Sequence, residues 1–219
     1  MIAQSPVAAA DTEQIRQQNS KLFDQYASSR TIEDYANDKS TNNADASIAI
    51  ERSSKLHHNG KKILDSTRES YLRTAAVNAD LIVVVEPTAR HSDFTDGHRF
   101  IFSDYEASVD RVLFSRKVTV LPGQNIVVSR AGGILHQGNR KIYGHVTGFE
   151  LFHLNEPYLL FLRYLPNGTF LVFGEAGYNI SGSKVITHPE GPHKDTSVPR
   201  ATFLEDVTHA IERLKEEGR

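Results

Sequence analysis

Two apolar runs dominate the pattern of hydrophobic and polar positions: Leu81-Ile82-Val83-Val84-Val85 and Tyr158-Leu159-Leu160-Phe161-Leu162-Arg163-Tyr164-Leu165. The second is followed by Pro166-Asn167-Gly168 and then Thr169-Phe170-Leu171-Val172-Phe173, the order strand, turn, strand. Between the runs, Ile101, Tyr105, Ala107, Val109 and Leu113 alternate with Asp104, Glu106, Ser108 and Asp110, which predicts a strand with one face inward and one in water. Asp96-Gly97 predicts a two-residue hairpin turn between Leu81–Thr95 and His98–Phe114. Pro122-Gly123 separates Val118–Leu121 from Ile126–Arg130, and Ala131-Gly132-Gly133 ends that strand. Residues 134–157 read as a long connection holding His136, Tyr143, His145 and His153. The segment from Ala79 to Phe173 is thus expected to form a compact antiparallel β-barrel of about five strands.

Helical periodicity brackets this segment. From Asp11 to about Ala36, Ile15, Leu22 and Tyr26 recur at helical spacing with Phe23 beside them, a narrow stripe suited to a surface helix. Asn37 to Asp45 is a polar linker, and residues 1–10 are small and expected to fray. A second helical stretch is expected over Ala46–Leu56, ended by His57-His58-Asn59-Gly60. A third begins at Ser66, where Ser66 and Glu69 have capping-box spacing, with Tyr71, Leu72, Ala75 and Ala76 as its apolar face. After Gly174 a Gly-, Ser- and Pro-rich loop runs to Pro199. A C-terminal amphipathic helix follows, with a capping box at Thr202 and Glu205 and a stripe of Phe203, Val207, Ala210, Ile211 and Leu214. The class is α+β, divided into an N-terminal helix and linker (1–45), a helical lead-in (46–78), the β domain (79–175), and a loop with the C-terminal helix (176–219).

Composition narrows the functional classes. Lys and Arg total 25 against 27 Asp and Glu, a net charge of −2, so no overall charge draws the chain to nucleic acid or anionic lipid. With no cysteine, disulfides, thiolate zinc sites and thiol nucleophiles are excluded. No apolar run reaches the length that crosses a bilayer. The first ten residues lack the basic start and long apolar centre of a signal peptide; a periplasmic or secreted location follows if one has been removed.

The order of elements resembles netrin-like OB-fold domains, the class that includes tissue inhibitors of metalloproteinases, and unannotated bacterial exported proteins of the same strand plan. The matching features are Ala79-Asp80 before an apolar strand, a hairpin into a long strand ending Val109-Asp110-Arg111-Val112-Leu113, and the late Tyr158-Leu159-Leu160-Phe161-Leu162. They cover about half the chain and are core residues. The resemblance implies an OB-like barrel, export and protein interaction. The inhibitory N-terminal cysteine and the disulfides of that class are missing here, so it transfers no functional residue.

Candidate ligand-binding residues are His91, Asp93 and His98 in the hairpin and His136, His145 and His153 in the connection after it. Across a two-residue turn, Asp93 opposes Phe100 and His98 opposes Thr95, so His91, Asp93 and His98 share a face. His91 then lies about 13 Å along the strand at ~3.3 Å per residue, too far to share one zinc with His98, since Zn–N bonds are about 2 Å. His188-Pro-Glu-Gly-Pro-His193 is a stiff solvated loop, and His57-His58 an exposed pair. Gly177 to Lys184 misses the phosphate-loop pattern, because Ser183 and Lys184 are in the wrong order and an extended segment follows. No nucleophile motif is present, and Asn167 and Asn179 head sequons that matter only in a eukaryotic secretory setting. Arg99, Phe100, Phe102 and Arg163 could serve a nucleic acid, but Asp104, Glu106 and Asp110 would oppose phosphates.

The reading is a non-enzymatic binding module for a protein or other ligand, with no catalytic residue and no cofactor. Its partner surface is the 11–36 helix or the aromatics Phe149, Phe152, Tyr158 and Tyr164, of which Tyr158 and Tyr164 are expected in the core. The alternatives are a metal-dependent hydrolase using the histidines of the 91–98 hairpin and the 134–153 connection, and a single-strand nucleic-acid-binding protein.

Overall fold

The computed structural model describes residues 9–24, 45–50, 68–138, 140–146, 150–187 and 196–218. The elements are α1 (Ala9–Phe23), β1 (Asp45–Ile50), α2 (Arg68–Asn78), β2 (Leu81–Phe94), β3 (Ile101–Ser115), β4 (Asn125–Ala131), β5 (Gly133–Gln137), β6 (Arg140–Val146), β7 (Tyr158–Tyr164), β8 (Phe170–Asn179), β9 (Lys184–Thr187), β10 (Thr196–Pro199) and α3 (Arg200–Glu216). No described helix is long and apolar enough to cross a membrane. The chain divides into two compact units, one of residues 1–50, 92–103 and 131–145, the other of 51–91, 104–130 and 146–219.

The larger unit is built on a closed barrel of five strands in the order β2-β3-β4-β8-β7. Its fourth strand, β7, returns to lie beside the first, with Leu81 to Val85 paired antiparallel to Leu162 to Tyr158, a Greek-key arrangement. The barrel is not purely antiparallel as expected: β4 and β8 run parallel, with Val128 opposite Phe170 and Ser129 opposite Leu171. Parity requires this. A closed ring with an odd number of strands cannot alternate direction all the way round, so at least one neighbouring pair must be parallel.

The apolar runs are explained by burial on both faces. Leu81, Val83 and Val85 of β2 and Tyr158, Leu160 and Leu162 of β7 fill the barrel interior with Tyr105, Ala107, Val109, Val128 and Val172. Ile82, Val84, Leu159 and Phe161 point outward, where Tyr71, Leu72, Ala75 and Ala76 of α2 and Phe203, Val207, Ala210, Ile211 and Leu214 of α3 cover them. Both predicted helical faces are therefore buried. The capping box at Thr202 is not used: α3 starts earlier, with Pro199 as N-cap and no side-chain cap bond. Arg68–Asp206 (2.6 Å), Arg73–Glu217 (2.6 Å) and Glu69–Arg213 (2.9 Å) bridge the two helices at their solvent edge. Ser66 lies outside the described residues. The stretch after Gly174, expected as loop, continues β8 to Asn179 and carries the two-stranded β9–β10 ribbon.

One carboxylate ties the helices' base to the barrel. Asp80, 6% exposed, accepts the Tyr164 backbone N–H at 3.0 Å and lies 2.9 Å from Lys117 Nζ. Its own N–H donates to Leu162 O, and its carbonyl accepts from Arg116 N–H. The Arg116 guanidinium donates to Val77 O and Ala79 O, a cation placed on the last carbonyls of α2.

In the smaller unit β1, β6 and β5 form a three-stranded sheet in that order. Two expectations are corrected here. Residues 134–157 are not one connection: Gln137 pairs with Arg140 across a β5–β6 hairpin, with Gly138 at φ +60°. The helix expected over Ala46–Leu56 is replaced in its first part by β1, where Ala46, Ile48 and Ile50 repeat with period two and β6 offers a partner. Residues 51–56 lie outside the described region.

The hairpin tip is also corrected. Thr95 N–H donates to Phe100 O and His98 N–H to Thr95 O, so Asp96 to Arg99 form a four-residue loop in place of the two-residue turn. The pairing moves by two residues, an even shift that leaves alternate side chains on their faces. The physical cause is α1: Asp96 N–H donates to Ser20 Oγ at 2.7 Å, and Phe23 stacks on Phe102 at 5.2 Å. The buried face of α1 is Asn19, Ser20 and Phe23, with Ile15 and Leu22 only half-buried; Tyr26 lies outside the described residues. Gly133 and Gly144 face each other across the β5–β6 hairpin, and a Cβ on either would come within 2.6 to 2.7 Å of Ile101.

Asp80→Ala leaves the Tyr164 N–H without its acceptor and Lys117 without its carboxylate, and should cost about 1–3 kcal/mol. Asp80→Asn, which keeps an acceptor, should cost less. Urea unfolding with an unchanged m-value checks both.

Candidate functional site

The two ends of the barrel carry the polar and exposed groups that the apolar interior does not absorb. In β4 the inward register Ile126, Val128 is continued by Arg130, which is 2% exposed. Its guanidinium lies 4.5 Å over the ring of Phe152, a cation–π contact. Phe152 also packs on Tyr105 at 4.9 Å and Tyr158 at 4.6 Å. The loop from Glu150 to Pro157 is held there by two tyrosine oxygens. Phe152 N–H donates to Tyr105 Oη at 3.2 Å and His153 N–H to Tyr158 Oη at 2.9 Å. Asn155 N–H adds a bond to Pro87 O, and Asn179 Nδ2 donates to Glu156 and to Tyr158 Oη. Gly177 makes the packing possible, since a Cβ there would lie 2.8 Å from Arg130 Nη1 and 3.0 Å from Phe152. Burial raises the Tyr105 pKa above its ordinary value, outweighing the lowering by Arg130 and Arg90.

At the opposite end of β7, Tyr164 continues the inward register of Leu160 and Leu162 but is 38% exposed, a correction to its expected place in the core. It caps the barrel against Phe170, with ring centroids 5.4 Å apart. Arg163 is exposed beside it. Lys117 shares the Asp80 carboxylate with the Tyr164 backbone N–H. Val118 and Val120 pack partly against the barrel interior, and Leu121 stays 56% exposed in the same connection.

The six residues expected to bind a ligand are placed as follows. In the larger unit, His91 is exposed with Nε2 3.5 Å from Glu106, and His153 is exposed with Nδ1 3.5 Å from Glu156. In the smaller unit, Asp93 faces Arg16 at 3.5 Å, and His98 sits at φ +50° with its ring 5.1 Å from Phe94. His136 stands opposite Lys141 in the β5–β6 register, and His145 is exposed. Among the described residues no three His, Asp or Glu side chains are gathered to hold a metal ion. Phe100 and Phe102 are buried and offer no face for stacking a base. Phe149 lies outside the described residues.

Arg130 went unnoticed in the sequence as a strand end, although Ile126, Val128 and Arg130 share one face by period two. A second overlooked signal is the run from Arg111 to Phe149, which holds Arg111, Arg116, Lys117, Arg130, Arg140 and Lys141 and no Asp or Glu. No protein-family model and no curated protein matches the chain.

Gly177→Ala should destabilise the protein by about 1–3 kcal/mol through overpacking against Arg130 and Phe152, measured by urea unfolding. The raised Tyr105 pKa has a definite sign. The neutral phenol is favoured in the folded state, so its contribution is complete below the ordinary value of about 10 and is lost as pH rises beyond it toward the folded value. Tyr105→Phe should flatten that alkaline fall in stability across pH 9 to 11, as read by unfolding at each pH.

Proposed function

We propose that the protein is a non-enzymatic binding module on an OB-like barrel, and that it engages a protein partner at the barrel mouth around Tyr164. The observation that carries this reading is the contrast between a barrel interior filled by side chains and an inward-register tyrosine left exposed at its rim. A filled five-stranded barrel has no room to enclose a ligand, so recognition falls to the rim and the loops. The order β7-β2-β3-β4, closed by β8, fits the five-stranded Greek-key barrel of that class. An exposed tyrosine with an exposed arginine next to it in sequence is also the composition of a protein-interface anchor. The partner surface that complements it carries an apolar side chain next to a carboxylate. An extracytoplasmic setting belongs to the same reading and rests on the netrin-like resemblance.

Immobilised protein should retain a defined set of proteins from whole-cell extract. Tyr164→Glu should weaken that retention about tenfold, the effect of losing an aromatic anchor, while Ile186→Ser on the β9–β10 ribbon leaves it unchanged. Equal retention by Tyr164→Glu would overturn the proposal. No bound metal in elemental analysis, with the same melting in EDTA and in zinc, would sink the alternative of a metal-dependent hydrolase. Salt-sensitive retention on oligonucleotides would establish nucleic-acid binding.

A further inference from the structure

The β5–β6 hairpin of the smaller unit has one face packed and one face open. A Cβ on Gly133 or Gly144 would run into Ile101, so the face those glycines share with Leu135 and Ile142 is the packed one, and Ile142 is buried there. The two-residue period then gathers Ile134, His136, Lys141, Tyr143 and His145 on the other face. On it His136, Lys141 and His145 are exposed, and Ile134 and Tyr143 are half-buried. His136 stands opposite Lys141 and Ile134 opposite Tyr143, so these side chains are cross-strand neighbours. The strands β1, β5 and β6 hold a single carboxylate, Asp45, at the first position of β1. Among the described residues, the side chains of His136, Lys141, Tyr143 and His145 enter no hydrogen bond, ion pair or ring contact. Other exposed cations are paired: Arg73 with Glu217, and Arg213 with Glu69.

We infer that this open face binds single-stranded nucleic acid, with bases stacked on Tyr143, His136 and His145 and a phosphate held by Lys141. The complement of a cationic face without its own carboxylate partner is an anion, and the rings decide which kind. Three aromatic rings beside one ammonium group suit stacked bases, whereas an acidic peptide would call for several cations. Tyr143 and His145 are two positions apart on β6, about 7 Å at ~3.4 Å per residue, so each ring can take its own base. A duplex is disfavoured, because its bases are already stacked on one another. The overall charge of −2 gives no long-range pull, and affinity rests on this local arrangement. The hairpin and Tyr164 belong to different compact units, and the inference does not rest on the protein-binding mouth.

Fluorescence anisotropy of a short labelled oligothymidylate, titrated with the full chain at low salt, tests this. Binding should saturate, and Tyr143→Ala should weaken it about tenfold, the loss of one stacked base. Tyr143→Phe should bind as the parent does, since the ring and not the hydroxyl makes the contact. Lys141→Gln should lower affinity and reduce the slope of log K against log salt by about 0.7, one phosphate contact on a single strand. Tyr164→Glu should leave binding unchanged, which separates this face from the mouth. An unaltered Tm in Tyr143→Phe and Lys141→Gln shows that these readouts report the face and not the fold. No saturable binding at low salt, or equal binding by Tyr143→Ala, overturns the inference. Tighter binding of labelled oligoglutamate than of oligothymidylate also overturns it, by assigning the face to an acidic protein segment.

Discussion

The Asp80 carboxylate is the interaction on which the larger unit depends. It sits where α2 has just ended and β2 begins, and it joins the end of β7 and the 116–117 turn to that point. A carboxylate this deeply buried is costly to desolvate, and the structure answers with a backbone N–H, an ammonium group and a neighbouring arginine that caps the helix. The outcome is positional. With the end of α2 and the start of β2 fixed together, the apolar face of the helix is laid over the outward residues of β2 and β7, and α3 completes the layer.

From that constraint follows the division of labour around the barrel. The first five residues of β2 and of β7 are covered outside by helices, so both of their faces are apolar, whereas β3 keeps Glu106 and Asp110 in water. The interior is closed to ligands by its own side chains. The two ends of the barrel differ: one presents the exposed ring of Tyr164, and the other buries Arg130 against Phe152.

Much of this was legible in the sequence. The alternation from Tyr105 to Asp110 and the stripes of α2 and α3 are strong periodic signals, and each predicted inward residue of the helices is buried. The failures have separate causes. The β5–β6 hairpin was passed over because its strands are short and polar. The hairpin tip was read from its own Asp-Gly pair, but Ser20 and Phe23, distant in sequence, decide its shape. The α1 contact rests on Asn19 and Ser20, which a hydrophobic count does not register. The histidines drew notice because their chemistry is conspicuous, while Arg130 and Tyr164 became informative only when strand direction showed which end of the barrel each occupies.

The parallel pairing of β4 with β8 has a mechanical consequence. The ring is joined by two seams between strands distant in sequence: the antiparallel β2–β7 seam of five residue pairs, buried on both faces, and the parallel seam of two. The second is by far the thinner. If it parts, every other strand pairing survives and the barrel becomes a curled sheet with β4 and β8 as its free edges. The barrel therefore behaves less like a rigid tube than like a clasped cuff, and the clasp is the short stretch where Val128 and Ser129 meet Phe170 and Leu171.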